Sequence, residues 1–145
     1  MGYYVEYDIA VTIPAERAPE VIAAINALHD PELMASQSHA GTYQGGVRTH
    51  VRYSWTDNPP PGGFTTMEEA FLAWRFNLYS TNEGSQFSFT WCGEKCGDEE
   101  HFFRALAPFA NGSIYARGED GAEWGYQYKD SEMRELQCIK QWVSS

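Results

Sequence analysis

The chain has 145 residues, 43% of them apolar and 21% charged, enough apolar matter for one compact domain and too much for a disordered chain. Acids outnumber bases 20 to 10, and the resulting net charge of -10 excludes a general binder of nucleic acid or anionic membrane, since both draw on Lys and Arg. The start, Met1 to Asp8, has neither a basic stretch nor a long apolar run, and Glu6 stands where a myristoylation motif needs Ser or Thr. No apolar stretch approaches the ~20 residues of a membrane-spanning helix. The three cysteines, Cys92, Cys96 and Cys138, are an odd count without an export signal, which reads as reduced thiols in a cytoplasmic protein.

Residues 3–12 alternate. Tyr3, Val5, Tyr7, Ile9 and Val11 share one face, and Tyr4, Glu6, Asp8, Ala10 and Thr12 share the other, the pattern of a half-buried strand. Pro14 then suits a helix start, and Val21, Ile22, Ile25 and Leu28 predict a helix over 15–29 that Asp30-Pro31 ends. Residues 35–46, rich in Ser and Gly and free of charge, read as a loop. Alternation returns over 47–55, with Arg48, His50 and Arg52 on one face. After a Pro-Gly loop, Thr66-Met67-Glu68-Glu69 forms a capping box, and Met67, Ala70, Phe71, Trp74 and Leu78 predict a helix over 67–79.

Gln86 to Cys92 reads as a strand and residues 98–110 as a third helix, capped by Asp98 and carrying Glu99 and Glu100 in its first turn. The last third reads as strands: 113–117, a Gly118-Glu119-Asp120-Gly121 turn, 122–129 and 133–142. The expected fold is a single α+β domain spanning 1–145. In it, a mainly antiparallel sheet of about six strands carries three helices on one face.

The stretch Gly97-Asp98-Glu99-Glu100, Ala107-Pro108-Phe109, Gly112-Ser113-Ile114, Gly118-Glu119-Asp120-Gly121 and Trp124 resembles a segment of small acidic proteins of actinobacteria and their phages. It covers about a quarter of the chain, Gly97 to Lys129, and carries a helix–turn–hairpin unit with no catalytic role. The resemblance implies an accessory protein of phage or mobile-element type.

Four constellations bear on function. Arg48, His50 and Arg52 on one strand face form a candidate grip for a nucleotide or other anion. Cys92, Cys96, His101 and Cys138 offer a zinc-compatible ligand set, but the three-residue gap between the first two is off the usual spacing, and no bound metal is expected. Carboxylates are many, yet none has a partner that marks an acid–base pair, and no nucleophile elbow or phosphate-binding glycine loop is present. A small hydrolase is therefore the third choice, no catalytic residue is assigned, and no cofactor is expected. Finally, Glu119, Asp120 and Glu123, with Tyr126 and Tyr128 as aromatic anchors, form a candidate patch for a partner protein. The first reading is thus an inhibitor-like interaction protein that binds a host or defence protein through an acidic, nucleic-acid-mimicking surface, without direct contact to nucleic acid or membrane. A homodimer is a further candidate.

Overall fold

The computed structural model describes residues 2–144. It is an α+β domain whose elements run β1 (Val5–Pro14), α1 (Ala18–Leu28), α2 (Pro31–Gln37), β2 (Gly41–Gln44), β3 (Val47–Val51), α3 (Met67–Ala73), β4 (Phe76–Thr81), β5 (Gln86–Trp91), α4 (Glu99–Ala105), β6 (Asn111–Gly118), β7 (Glu123–Lys129) and β8 (Glu132–Gln137). Six strands form one antiparallel sheet in the order β4-β5-β1-β6-β7-β8, and β2 and β3 form a separate hairpin. Among the described residues no helix is long and apolar enough to cross a membrane.

The period-two pattern dictates which side of the sheet is covered. Val5, Tyr7, Ile9, Val11 and Ile13 of β1 align with Ile114 and Ala116 of β6 and, beyond those, with Trp124, Tyr126 and Tyr128 of β7. This face packs against the helices. Its centre is aromatic: Phe102 of α4 stacks on Trp74 at 5.1–5.3 Å together with Phe76, and Phe71 and Phe89 meet it edge-on. All four of these neighbours, like Phe102 itself, are fully buried. Each such side chain contributes roughly 1.5–3 kcal/mol through burial alone.

Five elements differ from the sequence expectations. The stretch expected as a 35–46 loop holds the end of α2 and all of β2. Pro31 starts α2, and Asp30 caps it by accepting from the Leu33 amide at 3.2 Å. The helix expected to run to 79 stops at Ala73, because Arg75 takes a left-handed φ of 71° and turns the chain into β4. The strand expected over 47–55 ends at Val51, and the one expected over 133–142 ends at Gln137. The third helix is also shorter than 98–110, and Asp98 does not cap it: its carboxylate accepts from Ser54 N at 2.7 Å and Ser38 Oγ at 2.8 Å, tying α2 to the chain after β3.

A buried histidine joins two of the helices. His29, at the end of α1, accepts from the Trp74 indole at 3.1 Å through Nε2, so its Nδ1–H faces Asn58 Oδ1 at 3.2 Å. Tyr53, Phe64 and Trp74 surround the ring edge-on. Burial therefore holds this imidazole below its ordinary pKa, the Asn58 hydrogen bond acting weakly the other way.

Candidate functional site

Among the described residues no helix covers the opposite face of the sheet. Its side chains are Glu6 and Asp8 from β1, Tyr115 and Arg117 from β6, Glu123 and Gln127 from β7, and Arg134 and Leu136 from β8. Cross-strand register aligns Asp8 with Tyr115, Tyr115 with Gly125 and Gly125 with Leu136. Gly125 is what opens this row. A Cβ there would lie 2.6 Å from the Ile114 carbonyl, so the position excludes a side chain, and Tyr115 and Leu136 lean over it from either side. The result is a depression of about 560 Å³ with Gly125 as its floor. Tyr115 is 54% exposed at its edge. Three carboxylates, Glu6, Asp8 and Glu123, rim it against one cation, Arg117, whose Nε lies 3.5 Å from Glu123.

The acids expected in a partner patch do sit beside this face, and each already has local work. Glu119 accepts from Tyr4 N at 3.1 Å, and its own amide donates to the Tyr4 carbonyl. Asp120 accepts from the Tyr3 hydroxyl and, at 3.1 Å, from Ala122 N. Those bonds, Tyr3 first, hold its carboxyl below the ordinary range, and the same pairing pushes the Tyr3 phenol up to about 12. Glu123 accepts from the Cys138 thiol at 3.2 Å, which lowers the acid and raises the thiol.

The two expected anchors need correction. Tyr126 and Tyr128 point to the helix side. Both are buried, and Tyr128 donates to the Phe103 carbonyl at 2.6 Å. Strand alternation decides this: both share a face with Trp124, and the exposed tyrosine on the other face is Tyr115.

The arginine grip is dispersed. Arg48 spends its guanidinium on three main-chain carbonyls, Ala35 at 3.0 Å, Ser38 at 2.5 Å and Ala40 at 3.3 Å, which lashes the β2–β3 hairpin to the end of α2. His50 is exposed beside Thr49. Arg52 lies past the end of β3 and lines a different cleft, with Trp55, Asp57, Arg75, Glu94 and Lys95. The cysteines are scattered as well: Cys138 pairs with Glu123, Cys96 lies 3.9 Å from the Tyr7 hydroxyl, and His101 stands against the Tyr53 ring. Among the described residues no group of three His, Cys, Asp or Glu side chains is placed to hold a metal.

The sequence reading missed one charged cluster. Glu99, fully buried, accepts from Arg75 Nη2 at 2.9 Å, from Gly97 N at 2.8 Å and from the Tyr7 hydroxyl at 3.3 Å. Arg75 also donates to the Lys95 carbonyl at 2.7 Å and lies over the Trp91 ring. Burial pushes the Glu99 carboxyl above its ordinary range, with Arg75 and the Gly97 amide acting against it, and pushes the Tyr7 phenol and Cys96 thiol up. No sequence signal joins Tyr7, Arg75 and Glu99, since no periodicity links three separate elements. The cluster fixes the 92–98 segment to the sheet. Its arginine is the inner wall of the Arg52 cleft.

The chain matches no protein-family model, no curated protein and no solved structure.

Proposed function

We propose that the protein acts by binding another protein, presenting the helix-free sheet face to a basic surface. The observation that carries this reading is the Gly125 depression: an exposed tyrosine beside it and three carboxylates against one arginine around it. Aromatic anchors in a partly enclosed site are where interface energy concentrates, and the acid rim supplies steering and orientation. Tyr115 takes the anchoring role first given to Tyr126 and Tyr128. The partner class stays as the sequence suggested, a host or defence protein whose nucleic-acid-binding groove a face of this charge would fill. A short arginine peptide is the probe. In amide NMR spectra of labelled protein it should shift residues 6–8, 115–117 and 123–125, with the response fading as salt rises. Tyr115→Ala combined with Asp8→Arg should remove those shifts. Shifts centred instead on the helix-side acids Glu16, Glu20 or Glu68 would end this reading.

A small-anion binder is the second reading, moved from Arg48, His50 and Arg52 to the cleft that Arg52 shares with Lys95. One observation favours it. Trp55 holds a left-handed φ of 61°, is 45% exposed, and has the Lys95 ammonium over its ring at 5.1 Å. Strained backbone beside a cation and an open aromatic face is a frequent mark of ligand contact. A nucleotide released on denaturing the purified protein, and lost with Lys95→Ala, would favour this reading over the first.

A further inference from the structure

The edge of the sheet at β8 points to an occupant. β8 pairs with β7 alone, and its outer side is unpaired among the described residues. Asp130 and Ser131 both have positive φ, 55° and 64°, so a two-residue turn of the hairpin type closes on Lys129 and Glu132. That makes Glu132, Arg134 and Leu136 the residues whose main chain bonds to β7. Met133, Glu135 and Gln137 then aim their N–H and C=O groups outward. This edge carries none of the proline or bulge devices that block pairing. Past Gln137 the chain has no regular structure, and it exposes Ile139 by 76% and Trp142 completely.

We propose that residues 132–140 pair antiparallel with the same segment of a second copy, about a two-fold axis at Leu136. The strand's own chemistry selects the register. Outward-bonding residues must meet outward-bonding residues, so the sum of paired positions is even. An axis at Arg134 or at Glu135 sets like charges directly opposite each other. An axis at Gln137 sets Arg134 against Lys140. An axis at Leu136 instead places Leu136 against Leu136, Met133 against Ile139 and Glu132 against Lys140 of the second copy. The remaining pairs, Arg134 with Cys138 and Glu135 with Gln137, each set a charged side chain against an uncharged one, so no like charges face each other. The two six-stranded sheets join into one, and Ile139, 76% exposed in the single chain, gains an apolar neighbour. The contact is isologous and closed, so it stops at two copies. It uses the main-chain groups on the outer side of β8, whereas the peptide-binding proposal uses the open face of the sheet, onto which the Leu136 side chain projects.

Sedimentation equilibrium of the full chain tests it. A dimer is expected, and Glu135→Pro should weaken it by about 100-fold or more. That proline removes an outward N–H and leaves the bonds to β7 intact, so the circular dichroism spectrum should not change. The register is read separately. With Cys92, Cys96 and Cys138 changed to Ser, Leu136→Cys should oxidise to a covalent dimer, because the two positions face each other as a close non-bonded pair. A chain keeping Cys138 as its sole cysteine should not, because Arg134 of the second copy faces it. A monomer at high protein concentration overturns the proposal. So does a dimer that is indifferent to Glu135→Pro, or one that cross-links through Cys138 and not through Leu136→Cys.

Discussion

The guanidinium of Arg75 lies 2.9 Å from a carboxylate oxygen of Glu99, a side chain with no exposed surface. The pair closes the turn between α3 and β4 onto the start of α4. It thereby holds Arg75 in a backbone conformation that costs of order 1–3 kcal/mol for a residue other than glycine. Glu99→Ala should destabilise the fold by about 3–5 kcal/mol, since it strands a mostly buried guanidinium. Glu99→Gln, which keeps one acceptor oxygen for the Arg75 guanidinium and the Gly97 amide and an NH2 group that can donate to the Tyr7 hydroxyl, should cost less. Chemical denaturation of both variants, compared at constant slope, checks the order.

His29 predicts a pH dependence. Its folded pKa is depressed by burial, so the unfolded chain takes up the proton at the higher pH. Its contribution to stability is therefore complete above the ordinary imidazole value of about 6.5 and is lost as pH falls through the lower folded value. The melting temperature should drop as pH falls below about 6.5. His29→Gln should be less stable at neutral pH and show a shallower drop across that window. An unchanged slope would show that other groups carry the effect.

Phe102→Ala should be among the costliest core truncations, at about 3–5 kcal/mol. The ring meets Phe71, Trp74, Phe76, Phe89 and Phe103, so no single neighbour can collapse into the space it leaves. Thermal unfolding, with near-ultraviolet dichroism to follow the Trp74 stack, measures both the loss and its location.

Arg48→Ala should act locally. Hydrogen bonds from a charged donor contribute about 1.5–3 kcal/mol, and here they fasten the β2–β3 hairpin, which is not part of the six-stranded sheet. Limited proteolysis should speed up within residues 38–51 while the global unfolding midpoint moves little. A ligand-gripping Arg48 would instead leave the cleavage pattern as it was.

The architecture was largely legible because it rests on period-two alternation, which β1, β6 and β7 display without interruption. The Asp-Gly turn and the apolar stripes of α1 and α3 were equally local. Errors fell where a decision belonged to distant residues. Arg75 ends α3 in a conformation usually given to glycine, and what stabilises it is Glu99, on another helix. Asp98 looked like a helix cap but was recruited by Ser38 and Ser54. Tyr126 and Tyr128 read as surface anchors by residue type, whereas their alternation with Trp124 puts them on the core side. The acids at 119–123 were found from charge clustering, but the depression next to them was not, because it depends on a missing side chain at Gly125 seen across three strands.

The position of β1 has a consequence for how the chain is made. This strand occupies the middle of the sheet, yet along most of its length its partner is β6, with Val5 opposite Gly118 and Thr12 opposite Asn111. To β5 it is joined in register only at Ile13 and Pro14. A ribosome therefore delivers the central strand early and its main neighbour late. In the interval, Val5, Tyr7, Ile9 and Val11 have no template to lie against, and closing so long a loop is slow. While synthesis proceeds, the helices and the β4–β5 hairpin can assemble around α1. β1 stays an exposed apolar ribbon until β6 leaves the exit tunnel, the interval in which a chaperone would find it.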